Sequence, residues 1–125
     1  MKRIYLVLFI LMLTHFVSCT REQGGRNTYL GTYSCVKTCS YWQMWQPTTY
    51  DTSNVNVEVL KNPNYRNGVI VNGDTVLLDD NGTYSNEQGS SYGYSLSFRN
   101  DSIFISKRNG GLGGQNTCYT KGVKQ

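Results

Sequence analysis

Residues 91–99 read Ser91-Tyr92-Gly93-Tyr94-Ser95-Leu96-Ser97-Phe98-Arg99. Tyr92, Tyr94, Leu96 and Phe98 fall on one side of an extended chain. Ser91, Gly93, Ser95, Ser97 and Arg99 fall on the other. A period of two belongs to a strand with one buried face, because a helix repeats every 3.6 residues. Working outward, Asn100-Asp101 turns the chain into Ser102-Ile103-Phe104-Ile105-Ser106. Upstream, Asp80-Asn81-Gly82 marks a turn. Gly68 to Val71 and Thr75 to Leu78 are apolar runs joined at Asn72-Gly73-Asp74, the strongest hairpin signal in the chain. Asn62-Pro63-Asn64 is another turn, and Val55-Asn56-Val57-Glu58-Val59 alternates before it. Strands are also expected from Tyr29 to about Thr38 and from about Asn116 to Val123. Turn signals thus recur every 8–12 residues or so. The pattern predicts an all-β fold: a single antiparallel meander of about 7–8 strands, closing as a small barrel or sandwich because closure removes exposed edges.

Composition agrees. Ala is absent, Leu is scarce after residue 28, and Tyr, Thr, Val, Ser, Asn and Gly dominate. The chain has 125 residues, which allows one domain with a modest core.

The N-terminus has a different character. Met1-Lys2-Arg3 is a short positive region and Ile4 to Leu13 is almost wholly apolar. Thr14-His15 dilutes the run, and the small residue Ser18 precedes Cys19. This layout is that of a secretory signal, and the apolar run is shorter than the roughly 20 residues needed to span a bilayer. Phe16-Val17-Ser18-Cys19 resembles the lipobox of bacterial lipoproteins, with Phe16 where Leu is usual. The resemblance implies cleavage after residue 18, acylation of Cys19, and a bacterial cell envelope protein held by its lipid, in the outer membrane. The expected organisation is a signal peptide over 1–18, an acylated Cys and flexible tether over 19–28, and a β-barrel-like domain over 29–125. The tether rests on its polar sequence and the Gly24-Gly25 pair.

Removal of the signal narrows the chemistry. It takes Lys2 and Arg3 and no acid, so the net charge falls from +4 to +2. With no basic stripe, nucleic acid is not an expected partner. It also takes His15, the only histidine. Ser-His-Asp and Cys-His nucleophiles and most zinc sites go with it. The remaining carboxylates sit mostly in turns, so no enzyme, metal or cofactor is expected.

Cys35, Cys39 and Cys118 remain beside Cys19. Cys35 and Cys39, four apart in a strand, would be about 13 Å apart, beyond the roughly 7 Å limit for a disulfide. In a closed meander the last strand lies beside the first, so Cys35–Cys118 is the first expectation, with Cys39 as the alternative partner of Cys118. Either choice leaves an odd thiol.

The candidate binding residues are Tyr41, Trp42, Trp45 and Tyr50, a group that holds both tryptophans. Trp and Tyr dominate binding hot spots, so the stretch reads as a platform for an envelope protein or glycan. The plainer alternative is a loop whose aromatics plug one barrel end. Asp74-Thr75-Val76 and Asp101-Ser102-Ile103 resemble the Asp-Ser/Thr-apolar glycosylation sequon of some Gram-negative envelope proteins, though turn chemistry explains them as well. Asp79-Asp80-Asn81-Gly82 lacks the alternation of a calcium loop and reads as a turn. The run from Asn109 to Gly114 reads as a hairpin loop, since it lacks the Lys-Ser/Thr of a phosphate cradle.

Two further resemblances bear on function. The C-terminal third, from Asn100-Asp101-Ser102-Ile103-Phe104 through Gly110-Gly111-Leu112-Gly113-Gly114 to Tyr119-Thr120-Lys121-Gly122, is similar to the ending of short uncharacterised Gram-negative lipoproteins. Leu30-Gly31-Thr32-Tyr33 resembles the Gly-x-Trp opening of lipocalin-like barrels, with Tyr in place of Trp. The leading expectation is a lipid-anchored, non-enzymatic binding or structural module. The alternatives are an envelope inhibitor of a hydrolase such as lysozyme, similar in plan to small disulfide-stapled barrels but without their Ser-Gly-x-Arg-Tyr signature, and a lipocalin-like carrier of a small apolar ligand. Exposed Trp42 and Trp45 over a filled barrel would favour the module; a deep apolar lumen would favour the carrier.

Overall fold

A computed structural model describes residues 25–89 and 91–125. The expected signal peptide, Cys19 and the first part of the expected tether lie outside the described residues. The chain opens with a one-turn helix, α1 (Gly25–Tyr29), followed by eight strands: β1 (Gly31–Gln43), β2 (Thr49–Lys61), β3 (Gly68–Val71), β4 (Asp74–Leu77), β5 (Thr83–Gln88), β6 (Tyr92–Arg99), β7 (Ser102–Gly111) and β8 (Gly114–Lys124). They form one antiparallel sheet in the order β4-β3-β2-β1-β8-β7-β6-β5. This is the expected meander, curled into a nearly closed barrel. The first and last strands pair along their length, from Tyr33 opposite Lys124 to Gln43 opposite Gly114. The seam falls between β4 and β5, which are consecutive in sequence.

The period-two stretch becomes β6, with Leu96 and Phe98 buried. They join Tyr33, Val57, Val59, Val69, Val76 and Ile103 in one core. All of these lie toward one end of the barrel, here termed the closed end. The short β3–β4 hairpin covers only that end, because β2 pairs with β3 through Val59, Leu60 and Lys61 alone. At the other, open end β1, β2, β7 and β8 rise above it.

Two expectations are corrected. The tether does not extend to residue 28: α1 is fastened to the closed end. Arg26 Nη1 donates to the Tyr65 carbonyl at 2.6 Å, and Lys124 Nζ donates to the Thr28 carbonyl at 3.0 Å. The Tyr29 ring stacks on Phe98 with centroids 4.5 Å apart, and Tyr33 Oη donates to the Tyr29 carbonyl at 2.8 Å. Gly82, at φ 72°, lies under the Tyr29 ring, where a Cβ would collide with the phenol.

The disulfide is Cys39–Cys118 rather than the first expectation, Cys35–Cys118. β1 continues past Thr38 to Gln43, and its register with β8 sets Cys39 directly opposite Cys118, Cα to Cα 4.0 Å. The same register sets Cys35 opposite Gly122. Gly122 must lack a side chain, since a Cβ there would meet Cys35 Sγ and the Ser34 carbonyl. Cys35 is the free cysteine among the described residues, buried, with its Sγ 3.6 Å from the Tyr33 carbonyl. Burial pushes its thiol up, against a smaller opposing effect of the Val57 backbone hydrogen bond, so it is a weak nucleophile.

Candidate functional site

The four candidate aromatics gather at the open end, on the β1–β2 hairpin. Trp42, Trp45 and Tyr50 do not plug the barrel. Trp45 is 94% exposed, Tyr50 74% and Trp42 46%. The turn between the strands is closed by Gln46 N–H donating to the Gln43 carbonyl at 3.1 Å. Trp45 sits within it at φ 66°, a left-handed conformation that costs a bulky residue about 1–2 kcal/mol. The β7–β8 hairpin tip lies alongside, tied by Met44 N–H to the Gly113 carbonyl at 3.1 Å. Its Leu112 is 97% exposed. Met44, Trp45 and Leu112 therefore crown two bonded hairpins, and sequence reading missed Leu112 because it sits in a glycine run.

Strand alternation divides the other aromatics. Cys39 faces inward, so Tyr41 shares the inner face, while Ser40 and Trp42 face outward. Tyr50, opposite Ser40, also faces outward. The outer face continues in register across the sheet. Ser40 is opposite Thr117, Thr117 opposite Arg108, Arg108 opposite Gly93, and Gly93 opposite Glu87. Trp42 is opposite Gln115.

This row forms a shallow depression of about 150 Å³, lined by Glu87, Ser95, Ser106, Arg108, Gln115 and Thr117, with Tyr119 at its side. Gly93 leaves room for the Arg108 guanidinium, which lies 3.3 Å from where a Cβ would stand. Arg108 Nη2 reaches the Gly89 carbonyl at 3.4 Å, while its buried Nε has no hydrogen-bond partner among the described residues. Gln115 Nε2 donates to Thr117 Oγ1 at 3.2 Å. The half-buried Arg108 guanidinium only donates, the Glu87 carboxylate accepts, and the hydroxyls and the Gln115 amide do both, so the depression offers donors and acceptors together to a polar ligand. No spacing in the sequence links Glu87, Ser106, Arg108 and Thr117; only strand register brings them together.

A larger, open cavity of about 600 Å³ lies at the closed end, with Arg26, Tyr29, Arg66, Asp79 and Asp80 in its lining. Asp79 is committed to its turn. Its Oδ1 accepts from Asn81 N–H at 2.9 Å and Thr83 N–H at 2.7 Å, and its Oδ2 from Thr83 Oγ1 at 2.6 Å. The Thr83 bonds hold this carboxyl below the usual range. This is the turn reading, with the carboxylate satisfied by its own loop. Of the two sequon-like sites, Thr75 lies on β4 and accepts from Asn62 Nδ2 at 3.1 Å, while Ser102 opens β7. Among the described residues no three His, Cys, Asp or Glu side chains group as metal ligands, and no helix is long and apolar enough to cross a membrane.

The chain matches no family model, no curated protein and no solved structure.

Proposed function

We propose that this chain is a lipid-anchored, non-enzymatic binding module of the bacterial cell envelope, presenting its open end to a protein or glycan partner. One observation carries the reading. The barrel interior is packed at the closed end, with Tyr33 at 0% exposure, while Trp45 and Leu112 stand almost fully in solvent at the other. An apolar carrier needs the opposite arrangement, an apolar lumen with ordinary polar tips.

Geometry supports the direction of presentation. The chain enters at the closed end through α1, and β1 then climbs 13 residues to the hairpin tip. At about 3.3 Å per residue that is roughly 40 Å. An anchor at Cys19 would therefore hold the packed end toward the lipid and the tryptophans away from it. The Cys39–Cys118 disulfide suits an oxidising compartment. The inhibitor alternative is the protein-partner form of the same reading, with Trp45 as the protruding group.

Two measurements test this. Cys19→Ala should release the protein from membranes; continued membrane association would remove the lipoprotein reading. Wild type and Trp42→Ala/Trp45→Ala should be compared in pull-downs from envelope extracts and on glycan arrays. A specific partner held by wild type and lost by the variant is expected. An identical captured set would sink the open-end assignment.

A further inference from the structure

β2 is 13 residues long, yet β3 pairs only with its last three. Among the described residues the stretch from Thr49 to Asn56 therefore has a neighbour, β1, on one edge only. Strand geometry says which groups are left over. Glu58 turns its backbone toward β3, because its N–H donates to Asn72 Oδ1 at 3.0 Å and its carbonyl accepts from Asn72 N–H at 3.1 Å. Alternation then points the N–H and C=O of Tyr50, Thr52, Asn54 and Asn56 outward along the same edge. Residues 49–54 are all exposed, so nothing among the described residues covers them.

Natural sheets blunt such edges with Lys, Pro, bulges or very short strands. An inward-pointing charge is a further device, and Asp51, opposite the inward Cys39, is the one instance this edge carries. Thr49 to Asn56 contains no Lys, Arg, Pro or Gly, and its only charge is Asp51.

We propose that the free edge of β2 pairs with the same edge of a second copy of the chain, antiparallel about a two-fold axis at Ser53. The register follows from the groups available. Tyr50 opposite Asn56 and Thr52 opposite Asn54 use all four outward residues on each copy, giving about eight N–H···O bonds. The next step would set Thr48 against Glu58, whose outward groups are already held by Asn72. Pairing therefore stops where the β3–β4 hairpin begins. No like charges meet, since Asp51 falls opposite Val55. A foreign peptide would need side-chain pockets beside the edge for specificity. The two cavities described above, among the described residues, lie around Arg108 and beside α1 rather than along this edge. A second copy brings its own complement.

The test uses the full chain. At the axis, two Ser53 residues face each other as a pair without mutual hydrogen bonds, Cα atoms about 4.5 Å apart. Cys39 and Cys118 are bridged within this protein at a similar 4.0 Å separation. Ser53→Cys should therefore run on a non-reducing gel at twice the chain mass and return to single mass on reduction. Asn56→Cys, opposite Tyr50 rather than itself, should stay single. Sedimentation equilibrium up to about 100 μM should give wild type twice the mass of Thr52→Lys/Asn54→Lys, which places like charges opposite one another. Asn54→Pro, which removes an outward N–H, should likewise halve the mass. A monomeric wild type with no Ser53→Cys cross-link would overturn the proposal. Cross-linking through Asn56→Cys but not Ser53→Cys would overturn the register.

Discussion

The two ends of this barrel are built from the same strands and differ in what those strands carry. At the closed end the inward positions are Tyr33, Val57, Val59, Leu96, Phe98 and Ile103, all buried. At the open end the same strands place Lys37, Asp51, Ser53, Lys107 and Asn116 on the inner face, by register with Cys39 and Cys118. One end buries apolar area, which drives folding. The other is held upright mainly by backbone pairing and one disulfide. A binding surface can be rebuilt on such an end with little effect on the core, so the molecule separates its stability from its proposed working surface.

The largest break in this comparison is a core truncation set against a tip truncation. Leu96→Ala should lower unfolding free energy by about 2–5 kcal/mol, as large-to-small core changes do. Tyr50→Ala, exposed on the tall hairpin, should stay within about 0.5 kcal/mol of wild type. Urea denaturation measures both. Equal losses would mean that the open end contributes to the core after all.

The next effect tests what holds the open end. Cys39→Ser/Cys118→Ser opens a link between residues 79 apart and should cost about 2–4 kcal/mol. The loss should fall on the upper parts of β1 and β8. Hydrogen exchange should therefore quicken at Tyr41 and Thr117 more than at Tyr33 and Val57. Uniform quickening would show that the staple serves the whole barrel.

The same division explains how much of the fold was legible in the sequence. Where one face is buried, alternation is written into the residues: Tyr92 to Phe98, Val55 to Val59, and the hairpin at Asn72-Gly73. Meander closure followed, and with it the pairing of first and last strands. At the open end both faces of β2 meet solvent, so Thr49 to Asn54 carries no alternation and the pattern marks the strand only from Val55, six residues late. The pattern likewise ends β1 near Thr38, before Cys39. That shortening hid the register that sets Cys39 against Cys118. The outer row through Thr117, Arg108 and Glu87 was invisible for another reason: it is assembled across four strands. Helix α1 has no apolar face of its own and is held by Tyr29 and Arg26 docking on the barrel.

The smallest effect lies at the boundary between the two ends. Tyr94 shares the inner face with Leu96, its ring 5.9 Å from Tyr84 and 5.6 Å from Lys107 Nζ. Lys107 also reaches Asp74 at 3.9 Å, a pair too exposed to contribute much. Burial, with smaller contributions from Asp74, Tyr84 and Tyr92, pushes the Tyr94 phenol up from 10.0 to about 12. The folded state thus favours the protonated phenol. Its contribution is fully present below pH 10 and is lost as pH rises toward 12, because the unfolded chain ionises first. Tyr94→Phe keeps the ring and removes the proton. Between those two pH values wild type should lose more stability than the variant, while near neutrality the two should differ by about 1 kcal/mol or less. Parallel alkaline profiles would place Tyr94 with the solvent-facing end and move the boundary down to Leu96.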